Sequence, residues 1–330
     1  MRLPSGLRGN LILALASALV TLVLFVLGYE AWQSAKYRSW RAHYDNKGWL
    51  GTLTVPSSDP VLMWEYRPHG SHRGIETNRY GFRERDFDSP RKPEGVFRVA
   101  FVGDSVTLGL GVPADLTFER LAEREARALA REPPLQALNF GIDGYNTTQV
   151  AELVKTRVLG FEPDRVVYVM CLNDFDQTDS SAEKIRYFRR PRSFFLEDMG
   201  MLYRRARGIE FHRYHFERNR KAAFADVLAM KQAVAARPAS FLLVVLPVFF
   251  EGRHDFADYP LRDIHAAVMA FCAQNGIEAF DLLPAFERSG DDAAKDALDP
   301  WHLSPQGHEL VARELAPLIL PRQNGAREAR

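Results

Sequence analysis

Five short apolar runs with helical stretches between them limit what this chain can fold into. They are Phe97–Val102, Leu135–Phe140, Arg165–Met170, Phe241–Leu246 and Ile277–Phe280. Runs this short and this uniformly apolar suit strands buried on both faces, as in a parallel sheet. Between them, Val150, Leu153, Val154 and Val158 recur at helical spacing after the candidate caps Thr147 and Thr148, and Gly160 closes the pattern. Ile264, Ala267, Val268, Phe271 and Cys272 form a second stripe, ended by Asn275-Gly276. Strands alternating with helices specify a three-layer α/β/α fold. The expected architecture is flavodoxin-like, with a central parallel sheet of about five strands.

A different signal precedes this domain. No charged residue lies between Arg8 and Glu30, and Leu11 to Leu27 is almost wholly apolar. A span of roughly 20 such residues matches a bilayer crossing. A secretory signal has a shorter apolar region and a small-x-small cleavage site. The segment Tyr29-Glu30-Ala31-Trp32-Gln33-Ser34-Ala35 fits such a site poorly. A buried core helix rarely stays free of charge for this long. The expectation is therefore one uncleaved transmembrane helix, with Trp32 and Tyr37 at the interface. Arg2 and Arg8 precede the span, whereas Lys36, Arg38, Arg41 and Lys47 follow it, a count that leans against an N-inside orientation.

These signals divide the 330 residues into a tail (1–8), an anchor (9–29), a juxtamembrane stalk and lead-in (30–95), a main domain (96–320) and a polar tail (321–330). Within the main domain, an insertion at about 176–220 carries Arg186, Arg189, Arg190, Arg192, Arg204, Arg205 and Arg207 among Phe188, Phe194, Phe195 and Tyr203. It fits a lid, a surface for anionic carbohydrate or lipid headgroups, or plain solvated helices. The net charge of +1 gives no global reason to expect nucleic acid as a partner. Cys171 and Cys272 match no metal spacing and sit in apolar runs, so they read as small core residues. No Gly-x-Gly-x-x-Gly follows a strand and no Walker loop occurs, so no nucleotide cofactor is expected. His254, Asp255 and Asp258 lack further ligands, and loop polarity explains them better than a metal.

Gly103-Asp104-Ser105 directly follows the first strand, at the carboxyl end where open α/β sheets place their ligands. Gly103 would let the backbone turn sharply there. A strand followed by a small polar turn is common, so the tripeptide alone does not define a nucleophile. Near the end of the chain stands Asp299-Pro300-Trp301-His302. A serine hydroxyl needs a base, usually imidazole, and an acid can fix that ring's tautomer. The same residues also fit an ordinary turn. Ser304-Pro305 reads as a helix cap and first turn. Gly144, after the second strand, offers a backbone N–H, and Asn173, after the third, offers an amide. With the N–H of Ser105 they would suit an oxyanion hole. His308 is a rival base, although its place inside a helix suits packing or capping.

Serine, glycine, asparagine and Asp-x-x-His in this order resemble the SGNH hydrolases, the GDSL-like lipases and esterases. The likeness runs from about Arg98 to Ala316. It implies Ser105 as nucleophile, Asp299 and His302 as the rest of the triad, and Ser105, Gly144 and Asn173 as the oxyanion hole. Thr77-Asn78-Arg79-Tyr80-Gly81-Phe82-Arg83 resembles a lead-in of bacterial membrane-attached members, which implies a catalytic domain outside the cytoplasm. Val106 stands where the name-giving motif has leucine. Cys171 stands where the third block often has glycine, which bears on the path of the Asn173 loop. The implied reaction is double displacement through an acyl-serine, without cofactor or metal. The implied substrates are glycan or lipid esters of the cell envelope. Water as acceptor makes an esterase or deacetylase, and a sugar hydroxyl makes an O-acyltransferase. The reading from another class is a non-catalytic carbohydrate-binding or scaffold protein of an envelope assembly complex.

Overall fold

The computed structural model describes residues 5–47, 53–130, 132–176, 190–206, 208–249, 256–289 and 293–321. The chain divides into two compact units: Met1–Leu50 with Glu183–Gly208, and Gly51–Ala182 with Ile209–Arg330.

The second unit holds the sheet. Its strands are β5 (Phe97–Gly103), β6 (Leu135–Gly141), β7 (Arg165–Cys171), β8 (Ser240–Leu246) and β9 (Glu278–Asp281). They lie in the order β6-β5-β7-β8-β9, and every neighbouring pair is parallel. This is the flavodoxin-like order expected of the sequence. Successive side chains of a strand point to opposite faces. All seven residues of β7 are buried, so helices cover both faces of the sheet. The edge strand β9 is only half-buried. The register aligns Gly103 with Gly141 on one side and Val169 on the other, bringing the ends of the first three sheet strands to one edge.

The helices depart from the sequence reading in detail. The helix after β6 is Thr147–Thr156, capped by Asn146 and not by Thr147 or Thr148. Asn146 accepts from the Gln149 N–H, and the Gln149 side chain returns a bond to the Asn146 N–H. This reciprocal pairing satisfies two otherwise orphaned donors. The helix stops at Thr156, and a 3₁₀ turn over Val158–Phe161 follows, so Gly160 lies in that turn and does not close the helix. The Ile264 stripe lies on helix Arg262–Gln274, and Ser304 caps helix Pro305–Leu315 with Pro305 in its first turn.

The 30–95 stretch is not one stalk. Up to Lys47 it continues the N-terminal helix α1 (Ser5–Lys47). From Thr54 it forms two antiparallel pairs, β1 (Thr54–Pro56) with β2 (Trp64–Tyr66) and β3 (Ser71–His72) with β4 (Ile75–Glu76). These pairs are short and lack clear periodicity, which hid them in the sequence. Leu53, Leu62, Trp64, Tyr66 and Phe82 are buried within the second unit. The insertion at 176–220 is not one piece either. Arg186, Phe188, Arg189 and Arg207 lie outside the described residues, helix Phe194–Ala206 belongs to the first unit, and helix Ile209–Ala235 belongs to the second.

In the first unit, α1 contains the stretch Gly9–Ser39, among the described residues the one helix segment long and apolar enough to cross a membrane. Side chains from Leu11 to Leu27, all but Val26, are exposed along it.

Candidate active site

Ser105 is the first residue of a one-turn helix, Ser105–Leu108, that starts where β5 ends. Asp104 caps that turn, its Oδ1 accepting from the Val106 N–H at 2.9 Å. Gly103 is required for space and not for an unusual backbone angle. A Cβ there would lie 2.2 Å from Thr107 Oγ1 and 2.8 Å from Val169 O. A Cβ on Gly141, at the end of β6, would meet the backbone of the same turn, 2.2 Å from Leu108 N.

His302 reaches Ser105 from the far end of the chain. Its Nε2 lies 2.9 Å from Ser105 Oγ, and its Nδ1 lies 2.6 Å from Asp299 Oδ2. The loop bearing both residues is held by its own hydrogen bonds. Asp299 Oδ1 accepts from the Trp301 and His302 N–H groups, each at 2.9 Å. Leu298 N donates to His302 O, Ala297 bridges Leu303, and Phe249 N donates to Pro300 O. Desolvation works to raise the Asp299 pKa. The bonds from the His302 side chain and the two N–H groups outweigh it, and the carboxyl stays below its ordinary range. An ionised Asp299 favours a proton on Nδ1, leaving Nε2 free to accept from Ser105 Oγ.

His308 does not compete. It is buried, stacks on Phe118 with ring centroids 5.6 Å apart, and its Nδ1 accepts from the Phe118 N–H at 3.0 Å. Burial pushes its pKa down to about 3, so it stays neutral.

Gly144 has φ = 76°, a left-handed conformation that a side chain would strain. The loop around it is buttressed by the lead-in hairpin. Asp143 N donates to Tyr66 Oη at 2.9 Å, Trp64 Nε1 donates to Asp143 O at 3.3 Å, and Tyr145 Oη donates to Trp64 O at 2.5 Å.

Asn173 lies in the 3₁₀ turn Leu172–Phe175 that follows β7. Its Nδ2 donates to Asp104 Oδ2 at 2.9 Å. An amide nitrogen carries two hydrogens, so one remains for another acceptor. Cys171 ends β7 fully buried, and Asp174 Oδ2 behind it accepts from Tyr168 Oη at 2.8 Å and from Cys171 N at 3.3 Å. Burial, and next the nearby Asp104 carboxylate, hold the Asp174 carboxyl well above its usual range. Burial also raises both thiols, Cys272 to about 11, consistent with packing roles.

Two residues outside the sequence-derived set shape the site. Asp104 ties the Ser105 turn to Asn173, and burial raises its pKa against the bonds from Asn173 and Val106. Its signal was its place between Gly103 and Ser105. Arg83, the last residue of the lead-in motif, is buried and donates through Nη1 to Leu108 O and Gly109 O, and through Nη2 to Val112 O. No sequence pattern marks an arginine whose partners lie some 25 residues away, as Leu108 O does. Among the described residues no group of three or more His, Cys, Asp or Glu is placed to hold a metal. His254 and Asp255 lie outside them.

A doubly wound α/β fold with serine, histidine and carboxylate in series at one sheet edge is the layout of a serine hydrolase. The chain belongs to the GDSL-like lipase/acylhydrolase family, whose sequence profile residues 101–310 match. Solved structures similar to it include TesA, at 15% identity and a TM-score of 0.45 over 68% of this chain and 99% of that one. A catalytic mutant of Axe2, an acetylxylan esterase from Geobacillus stearothermophilus, is 17% identical, with a TM-score of 0.46 over 68% and 94%. LAE5, an α/β hydrolase enzyme from the metagenome of Lake Arreo, Spain, is 19% identical, with a TM-score of 0.45 over 68% and 94%. No curated protein matches the chain in sequence.

Proposed function

We propose that the protein is a membrane-anchored esterase that cleaves acyl esters of cell-envelope glycans or lipids through an acyl-Ser105 intermediate. The observation that carries this reading is the unbroken relay Ser105–His302–Asp299, with contacts of 2.9 and 2.6 Å. In the first half-reaction, His302 Nε2 takes the Ser105 proton as Oγ attacks the ester carbonyl. The carbonyl electron pair moves to oxygen, where the N–H groups of Ser105 and Gly144 and the second N–H of Asn173 are the donors for it. Removing one such donor typically costs roughly 3–4 kcal/mol of transition-state stabilisation. Collapse expels the alcohol, protonated by His302. In the second half-reaction a water gives a proton to His302 and attacks the acyl-serine, and His302 returns that proton to Ser105 Oγ as the carboxylic acid leaves. Asp299 holds the ring and stabilises the imidazolium without being protonated.

The apolar segment of α1 is the anchor, and the catalytic unit lies outside the cytoplasm, in keeping with envelope esters as substrates. The test is hydrolysis of p-nitrophenyl acetate and of acetylated glycans by detergent-solubilised full-length protein. Free acetate from the parent, and none above background from Ser105→Ala, supports the esterase. Acetate recovered on an added sugar hydroxyl would reassign the site to an O-acyltransferase. Neither product from folded parent protein would favour a non-catalytic glycan-binding protein.

A further inference from the structure

We propose that helix Phe194–Ala206, here α5, is a second membrane contact, an interfacial helix lying in the headgroup layer where α1 leaves the bilayer. This rests on the reading of α1 as a membrane span. The observations all lie within the first unit.

The start of α5 is fastened to α1 at the end of its charge-free stretch. The Glu30 carboxylate accepts from Ser193 Oγ at 2.5 Å, Phe194 N at 3.1 Å and Phe195 N at 2.9 Å. A helix start leaves its first N–H groups without intrahelical partners, and here a carboxylate from another helix supplies them. Asp198, one turn on, accepts from Tyr29 Oη at 2.6 Å and from Gln33 Nε2 at 3.0 Å. Phe195 packs edge-on against Phe25 and Tyr29, and Phe194 lies against Tyr37. Glu30 is the first charged residue after Arg8. At 1.5 Å rise per residue, the Tyr29–Gln33 attachment begins within about 3–9 Å of the last apolar residue, Leu27. That distance is the depth of a headgroup layer.

A flank of α5 beside its α1 contact exposes apolar side chains. Leu196 is 70% exposed, Met199 40% and Leu202 58%, and Tyr203 is exposed beside them. Residues spaced by three and four share a helix face. Leu196, Met199 and Tyr203 therefore form one stripe, with Leu202 beside it, on a helix whose start is fastened just past the last apolar residue of α1. The groups around it suit an interface. Trp32 is exposed with Lys36 Nζ 4.7 Å from its ring centroid, and Arg190 and Arg192 stand exposed before α5. Aromatic side chains and long cations concentrate at this depth, the cations beside lipid phosphates. Continuity with the apolar surface of α1 identifies the occupant as the lipid bilayer.

The test places an environment-sensitive NBD fluorophore at single introduced cysteines in the full chain, reconstituted in vesicles of phosphatidylcholine with a minority of phosphatidylglycerol. Cys171 and Cys272 are buried and do not compete for label. Met199→Cys reports on α5, Leu22→Cys on the span and Arg313→Cys on an exposed site of the other unit. The expected result is quenching by nitroxide-labelled lipid at positions 22 and 199, with protection from aqueous iodide, and the reverse at 313. Adding Leu196→Asp and Leu202→Asp should abolish lipid quenching at 199 while leaving it at 22. Quenching at 22 with iodide access at 199 would overturn the proposal and leave the anchor intact. Protection of 199 from both quenchers would overturn it in favour of a protein contact. Loss of lipid quenching at 22 would overturn the membrane reading itself.

Discussion

Replacing Arg83 with methionine keeps most of the side-chain volume and removes the charge and all five N–H donors. Three buried carbonyls then lose the guanidinium, Leu108 O at 2.9 Å, Gly109 O at 2.6 Å and Val112 O at 2.6 Å, while Gly109 O keeps the Val112 N–H at 3.3 Å. Hydrogen bonds to a charged group contribute roughly 1.5–3 kcal/mol each, so the gross loss is about 4.5–9 kcal/mol. Burial opposes the charge, as the lowered pKa of Arg83 shows, and removing a desolvated guanidinium recovers several kcal/mol. The net cost expected is about 2–4 kcal/mol. All three carbonyls lie within the segment that follows Ser105, so part of the cost should appear as disorder at the nucleophile. The assay is urea unfolding of the full chain in detergent, beside its rate of fluorophosphonate labelling. Arg83→Lys, able to reach fewer carbonyls, should fall between methionine and parent in both measurements. A methionine variant within about 0.5 kcal/mol of the parent, labelled at the parent rate, would show that Arg83 does not hold the Ser105 turn.

Gly141→Ala would set a Cβ 2.2 Å from Leu108 N and 2.6 Å from Thr107 C, both backbone atoms, so the Ser105 turn must shift. The expected cost is about 1–3 kcal/mol with a marked fall in esterase rate, read by urea unfolding and ester hydrolysis. Asp104→Asn removes a buried charge while weakening the hold on Asn173, so kcat should fall more than stability does, a split that steady-state kinetics and thermal unfolding together would show. Burial raises Glu119 to about 8, above its unfolded value. The folded state therefore holds that proton more tightly, and the stability it contributes is complete below the unfolded pKa and lost as pH rises through about 8. The slope is about 1.4 kcal/mol per pH unit at most, and Glu119→Gln should flatten it in unfolding curves taken from pH 5 to 8. His308, held down to about 3, has the opposite sign: the unfolded chain binds a proton that the folded chain refuses, so stability falls as pH drops below the ordinary histidine range. His308→Asn offers an oxygen to the Phe118 N–H, and should flatten that acid limb while retaining ester hydrolysis.

The strands were legible because a sheet buried on both faces demands uninterrupted apolar runs. Four runs gained one residue in the fold, and the fifth, Ile277–Phe280, shifted by one to Glu278–Asp281. The blocks around Ser105, Gly144, Asn173 and His302 were legible because each stands at the end of a strand or before a helix, where local punctuation marks it. What stayed hidden depends on contacts distant in sequence. Arg83 and Tyr66 gain their roles from the turns they clamp, and nothing local distinguishes them from a surface arginine or a core tyrosine. Gly103 reads locally as a flexible turn, yet its constraint is the Thr107 hydroxyl and the Val169 carbonyl. Asn146, Thr147 and Thr148 are all competent caps. The choice of Asn146 is fixed by Gln149 three residues on, a capping-box signal present in the sequence. The long run of α1 past Glu30 was hidden because its charged residues broke the apolar pattern used to bound the anchor.

Activation of Ser105 by His302 would show when the folded full-length chain is treated with a fluorophosphonate and the adduct located by peptide mass spectrometry, beside Ser105→Ala and His302→Ala. The expected result is one adduct, on the Ser105 peptide, absent from Ser105→Ala and slowed by orders of magnitude in His302→Ala. An adduct on another residue, equal labelling of parent and His302→Ala, or no labelling of the folded parent would contradict it.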